Sequence, residues 1–252
     1  TQAVEDRYGA AAQHQEACLC TPVGFDPALL AVIPDAVVKR DYGCGDPTRW
    51  VRSGDRVLDL GSGSGKNAFI CAQVVGAEGR VVGVDRNAEM LALSRGAAEE
   101  VADAIGFANV AFIEGAIEAL DQQTAEASPL VADASVDVVL SNCVLNLVNP
   151  ASRQRLLSNI RRVLAPGGRV AISDIVCDRS VPLALQQDPE LWSGCISGAW
   201  QEEAFIADFQ ALGFEQVRFA DRSETPWRVV EGIEFRAVTL VGELPQAACA
   251  CC

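Results

Sequence analysis

The chain is short of positive charge. Its 20 Lys and Arg face 34 Asp and Glu, a formal net charge of −14 at pH 7. The basic residues gather in no local patch that could override this field, so nucleic acid and anionic membrane surfaces are not expected partners. Long apolar runs are missing too. The stretches 68–76 and 136–148 are far shorter than the roughly 20 residues needed to cross a bilayer. No basic-then-apolar leader opens the given sequence, and the expected location is cytoplasmic. There is a single histidine, His14. It is read as an exposed residue of an N-terminal arm, so a reaction that requires a histidine general base finds no placed candidate. Internal repeats and coiled-coil heptads are lacking, and a monomer is expected. CxxC pairs, the usual frame of tetrahedral zinc, are absent.

What the sequence has in quantity is cysteine. The ten are Cys18, Cys20, Cys44, Cys71, Cys143, Cys177, Cys195, Cys249, Cys251 and Cys252. A small secreted protein would use so many as a disulfide framework, but 252 residues can bury a core without staples. In a chain expected in a reducing compartment, they point to metal, metalloid or redox chemistry.

From Arg56 onward, β-branched runs alternate with helical stretches. The runs are 56–61, 80–85, 110–116, 136–142 and 169–176; helices are expected at 65–75, 88–104 and 151–164, the last stopped by Pro166-Gly167-Gly168. After Cys177 comes a loop-rich stretch, then a helix near 202–212 and two strands, 214–220 and 235–242, spaced as an antiparallel pair. The expected fold is α/β: a Rossmann-like, seven-stranded, mostly parallel sheet with helices on both faces and a small cysteine-bearing region beside it. Residues 1–50 read as an arm or lid carrying Cys18, Cys20 and Cys44. Residues 51–178 form the cofactor domain, and 179–252 a C-terminal region with the closing strands.

In Val57-Leu58-Asp59-Leu60-Gly61-Ser62-Gly63-Ser64-Gly65, three glycines stand where a buried strand turns into a helix. Backbone can approach a ligand closely there, and the helix start offers N–H donors. Asp85 ends the next strand 20 residues after Gly65, with Arg86 following it, where a carboxylate can accept from two ribose hydroxyls. A P-loop is excluded: the glycine-to-lysine spacing is one residue short, and Asn67 stands where Ser or Thr should hold magnesium. A dinucleotide fits less well, since Asp59 would repel a pyrophosphate. A ligand with a ribose and an ammonium group but no phosphate suits Asp59 better, which describes S-adenosylmethionine.

With these residues the chain resembles the seven-strand S-adenosylmethionine-dependent methyltransferases and, within them, the arsenite methyltransferases. The narrower likeness rests on Asp41-Tyr42-Gly43-Cys44-Gly45, the turn 58–65, Ser141-Asn142-Cys143-Val144-Leu145-Asn146-Leu147, Leu191-Trp192-Ser193-Gly194-Cys195 and Ala17-Cys18-Leu19-Cys20-Thr21-Pro22. The resemblance implies that Cys143 and Cys195 are the principal As(III) ligands. It gives Cys44, and one of Cys18 or Cys20, the role of third thiolate or redox partner. It also implies a cofactor pocket lined by Asp59, Gly61, Ser62, Gly63, Gly65, Asp85, Arg86, Gly115, Ala116, Ile117 and Asn142, with Tyr42 closing over it. Three features depart from the family pattern: the N-terminal site has two cysteines, Cys18 and Cys20, where one is usual, Asp41 replaces an aromatic residue, and Gly194 an acid.

Trivalent arsenic is thiophilic, so thiolates are its expected protein ligands. Held by sulfur, it keeps a lone pair that can attack a sulfonium methyl in line, and no general base is required. Transfer formally oxidises As(III) to As(V). A cysteine pair can return the two electrons by becoming a disulfide, which a thiol reductant, thioredoxin or glutathione, then reopens. The expected substrate is arsenite or its thiol conjugates. Two other readings stay open: a methyltransferase acting on carbon, oxygen or nitrogen with the cysteines incidental, and a non-catalytic thiol-rich metalloid-binding module. Cys71 and Cys177 read as core. Cys249, Cys251 and Cys252 are either a metalloid trap or an exposed end.

Overall fold

Near-continuous apolar runs bounded by glycine and charge are what a strand buried on both faces requires, and they become the strands of a single sheet. In the computed structural model these are β1 Arg56–Leu60, β2 Arg80–Asp85, β3 Val110–Glu114, β4 Val136–Asn142, β5 Leu164–Cys177, β6 Trp200–Gln201, β7 Glu215–Arg222, β8 Arg228–Val230 and β9 Ile233–Glu243. The structure describes residues 24–40, 42–188, 191–192 and 194–247. The expectations for His14, Cys18, Cys20, Asp41, Ser193 and the three tail cysteines lie outside these residues.

The main path through the sheet is β3-β2-β1-β4-β5-β9-β7, with β6 pairing β5 and β8 pairing β9. The first five strands of that path run parallel, while β9 is antiparallel to both β5 and β7. The seven-strand, mostly parallel expectation therefore holds, with two short strands added. The chain runs outward from β1 through β2 to β3, then returns to place β4 on the other side of β1. That reversal opens a crevice at the carboxyl ends of β1 and β4, where ligands of such sheets bind.

The longer helices follow the sequence periodicity. They are α1 Lys66–Val75, α2 Ala88–Ile105, α3 Arg153–Val163 and α4 Glu202–Ala211. Asn87 caps α2, its Oδ1 accepting from the Met90 N–H at 2.9 Å, and left-handed Gly106 ends it. α3 buries Leu156, Leu157, Ile160 and Val163, one face of a 3.6-residue repeat. It stops before the expected Pro166-Gly167-Gly168. Leu164 already pairs with Val136, and Arg169 pairs with Val138, so the four intervening residues, Ala165 to Gly168, form a bulge within β5.

One apolar cluster around α3 and α4 includes Leu58, Leu140's neighbour Val139, Phe205 and Phe209; another around α1 and α2 includes Phe69, Ile70, Leu91 and Val138. Each fully buried Leu or Phe contributes roughly 1.5–3 kcal/mol. The segment before β1 joins the second cluster through Ile33 and Val37. It is tied to α1 by Gln73 Nε2 donating to the Leu29 carbonyl at 2.8 Å, and to the turn before α1 by Ser64 Oγ donating to that of Val37 at 2.9 Å. No helix among the described residues is long and apolar enough to cross a membrane.

Candidate functional site

The turn after β1 is held by main chain. The Gly61 N–H donates to the Val84 carbonyl at 2.8 Å, and the Gly65 N–H to that of Ser62 at 2.8 Å. Gly61 has φ +69°, and a Cβ there would run into Val144, so both conformation and space require glycine. Beyond the turn lies a cleft of about 970 Å³, part of it open to solvent, walled by Tyr42, Gly61, Ser62, Gly63, Asp85, Arg86, Gly115, Ile117 and Asn142. Asp85 organises its floor: Oδ2 accepts from the Gly63 N–H and Oδ1 from that of Asn87, both at 2.8 Å. Burial pushes the Asp85 carboxyl above the usual carboxylate range, while the N–H groups of Asn87, Gly63 and Arg86 pull it back. Three N–H donors leave the carboxylate one lone pair for a ligand hydroxyl.

Two buried polar atoms of the cleft wall, Ser62 Oγ and Asn67 Oδ1, have no protein partner among the described residues. A Cβ on Gly63 would meet open space. Orphaned acceptors beside an open backbone cradle fit a polar ligand with hydroxyl and amino groups, which S-adenosylmethionine is.

The cleft has a further wall residue, Cys143, and here it meets a second construction. Cys44 and Cys143 are joined as a disulfide, their Cα atoms 6.0 Å apart. Cys195 Sγ donates to the Cys143 carbonyl oxygen at 3.4 Å, and all three cysteines are buried with Ile175, Ile196 and Phe235. With two of these sulfurs bonded to each other, no group of three His, Cys, Asp or Glu side chains among the described residues is arranged to hold a metal ion. Cys143 and Cys195 both have left-handed backbone, φ +59° and +62°. For a residue with a Cβ this costs about 1–2 kcal/mol, and such outliers cluster at functional sites.

Asn142 sets the distance between the two constructions. Its Oδ1 accepts from the N–H groups of Cys44 at 2.9 Å and Gly45 at 3.3 Å, and its Nδ2 donates to the Gly45 carbonyl at 2.8 Å. The Y-G-C-G turn is thereby fastened to the end of β4. Its glycines permit the approach: a Cβ on Gly43 would strike the Asn142 amide, and one on Gly45 would strike Ser173.

Three residues expected in the cofactor pocket are not among those that wall the cleft. Asp59 is buried within β1, Gly65 faces Phe69, Phe112 and Ser94 as the start of α1, and Ala116 is not part of the cleft wall. Arg40, Ser64, Asn67, Asn87, Met90, Glu118, Val144, Leu147 and Val148 line it without having been singled out. Asn87 and Met90 carried a local signal, the cap and first turn of a helix directly after Asp85. Cys71 and Cys177 are fully buried and unpaired. Burial pushes Cys71 well up and Cys177 up to about 12, and Cys177 Sγ donates to the Trp200 carbonyl at 3.3 Å. Both are neutral core thiols.

Residues 51–219 match a family model described as a methyltransferase domain. The chain is similar to the arsenite methyltransferase of Aquipseudomonas alcaligenes, with 39% identity over 230 residues, 87% of this chain and 63% of the relative. It is also similar to that of Halobacterium salinarum, with 39% identity, covering 86% of this chain and 52% of the relative. The chain thus spans between half and two thirds of the length of these curated relatives. Among solved structures, an arsenic(III) S-adenosylmethionine methyltransferase from Chlamydomonas reinhardtii superposes with a TM-score of 0.75 at 34% identity, covering 90% of this chain and 76% of that one.

Proposed function

Because the chain belongs to the arsenite methyltransferase family of S-adenosylmethionine-dependent methyltransferases, we propose that it methylates thiol-bound trivalent arsenic. The observation that carries this reading is Cys143, which is at once a wall of the cofactor cleft and a member of the cluster with Cys44 and Cys195. S-adenosylmethionine, when bound, supplies an electrophilic methyl on a sulfonium. In this reading Asp85, Gly61, Gly63 and Ile117 hold its nucleoside end, and Tyr42 covers it. Ser62 and Asn67 meet its remaining polar groups. Once the disulfide is opened, Cys143 and Cys44 join Cys195 to bind arsenite or its thiol conjugate and aim the arsenic lone pair along the cleft. Holding the reacting atoms at near-attack distance is what the protein contributes, an effect worth several kcal/mol.

The disulfide is the other half of the cycle. Two electrons from Cys44 and Cys143 return pentavalent arsenic to the trivalent state as the S–S bond forms, and a thiol reductant such as thioredoxin or glutathione restores both thiols. Cys18 or Cys20 would belong to this relay, and residues 1–50 would close over the cofactor as a lid. A neutral substrate, arsenous acid, needs no basic steering, which suits the acidic chain.

Incubation of the reduced protein with arsenite, glutathione and methyl-labelled S-adenosylmethionine should give labelled methylarsenicals. Binding of both ligands without any label reaching arsenic would sink the proposal. Label transfer to a carbon, oxygen or nitrogen acceptor, unchanged by replacing the cysteines, would favour a small-molecule methyltransferase instead.

A further inference from the structure

Cys195 reaches the cluster from a segment far from Cys143 in sequence, and what brings it there is an amide. Asn146 is fully buried in the short turn Leu145–Leu147 that follows Cys143. Its Nδ2 lies 2.8 Å from Asp174 Oδ1, 2.6 Å from the Ile175 carbonyl and 3.3 Å from the Cys195 carbonyl. Three acceptors surround one NH₂ group, which fixes the amide's orientation. Asp174, itself buried in β5, also accepts from the Asn146 N–H at 3.3 Å and the Ile175 N–H at 2.8 Å. A second attachment follows three residues after Cys195. Gly198 lies so close that a Cβ would run into the Asn146 carbonyl, and Arg153 donates to the Gly198 carbonyl while stacking 3.8 Å over the Trp200 ring.

We propose that Asn146, braced by Asp174, is a positioning residue that sets the Cys195 segment against Cys143, and so decides whether arsenic is held by three sulfurs or by two. This rests on the arsenite reading above. Asn146 does not itself line the cofactor cleft, although its neighbour Leu147 does, and it meets no reacting atom. It acts through the main chain of Cys195, whose left-handed backbone aims Sγ at Cys143. The other hydrogen bonds of the 194–199 segment include ties back to its own approach, with Ser197 Oγ donating to the Leu185 carbonyl at 2.6 Å and the Cys195 and Ile196 N–H groups to the carbonyls of Trp192 and Leu191. Without the amide the segment loses its side-chain tie to the turn that follows Cys143, and Cys195 can shift away from Cys143. The arsenic site then loses one thiolate while the cofactor cleft, which Asn146 does not line, is untouched.

The test compares the full chain with Asn146→Ala, both reduced with a phosphine and loaded with sodium arsenite in the absence of any small thiol, so that every sulfur on arsenic comes from the protein. Arsenic–sulfur coordination is read by X-ray absorption, alongside the KM for arsenite and the calorimetric Kd for S-adenosylmethionine. The expected result is three protein sulfurs in the parent and two in Asn146→Ala, with the arsenite KM raised about tenfold and the cofactor Kd within about twofold. Gly198→Ala keeps every side chain of the clamp but drives the segment off the Asn146 carbonyl. It should raise the arsenite KM about threefold, and it remains available if Asn146→Ala fails to fold. Three sulfurs and a parental KM in either variant that folds overturn the proposal. So does a loss of cofactor affinity in step with arsenic affinity, which would mark a purely structural role. A parent chain that takes up no arsenic would instead remove the arsenite reading itself.

Discussion

The cofactor side and the thiol side of the site are built by opposite means. On the cofactor side, the β1-turn-α1 unit and the end of β2 together supply the floor, its contacts are mostly main chain, and a single carboxylate, Asp85, organises the donors. On the thiol side, Cys44, Cys143 and Cys195 come from three separate segments, 99 and 52 residues apart in sequence. Side-chain amides hold them together: Asn142 grips the Cys44 turn and Asn146 the Cys195 segment. A backbone-built site tolerates side-chain change, because few side chains carry it. A tethered site can fail through one amide, and it can be retuned without disturbing its neighbour.

That contrast can be broken most severely at Cys143, where the two sides touch. Cys143→Ser should lower methyl transfer by about a thousandfold, roughly 4 kcal/mol, while calorimetry finds the cofactor Kd within about threefold of parent. Equal loss of cofactor binding would mean that the two sides are one. Asp174 sharpens the thiol side. Desolvation pushes its carboxyl up to about 7, from 3.8. Because the native state then holds a proton that the unfolded chain releases, the group's contribution favours folding below about pH 4 and is lost as pH rises toward 7. Asp174→Asn mimics the protonated form. It gains about 4 kcal/mol at pH 8 from the removed titration and loses about 1 kcal/mol with the acceptor for the Asn146 N–H. Denaturant melts should show it roughly 3 kcal/mol more stable than parent at pH 8 and no more stable at pH 4.

On the cofactor side, Asp85→Ala removes the acceptor for Gly63 and Asn87 together with any ligand hydroxyl contact. The cofactor Kd should rise about thirtyfold, near 2 kcal/mol, with arsenic–sulfur coordination unchanged by X-ray absorption. The smallest effect is expected at Asn142→Ala, which loosens the Cys44 turn. In a glutathione redox buffer, the Cys44–Cys143 bond should form about threefold more slowly, under 1 kcal/mol.

How much was legible in the sequence divides along the same line. The alternation of strands and helices, the glycine turn and Asp85 could all be read, since periodicity and capping are local. The bulge at Pro166-Gly167-Gly168 could not, because only pairing between β4 and β5 reveals that the strand starts before it. Asn142 was expected to face the cofactor. It does line the cleft, yet its polar atoms are spent on Cys44 and Gly45, a use set by tertiary approach. Asp174 leaves a trace in the sequence: a carboxylate inside the apolar run 169–176, which must find partners if buried. Asn146 stands in the motif 141–147, but its use could not be read there, since its three acceptors are 28, 29 and 49 residues away.

The left-handed backbone at Cys143 and Cys195 bears on how these positions would respond to selection. Glycine fits such a conformation without the Cβ penalty, so a library sorted for cellular abundance alone should enrich Gly, and secondarily Asn, at both positions. The same library grown under arsenite should retain only Cys. At Cys71 and Cys177, where ordinary core packing governs, small apolar replacements should survive both sorts. The two tolerance maps would diverge at 143 and 195, so a competition experiment that never purifies the protein can tell its working thiols from its packing thiols.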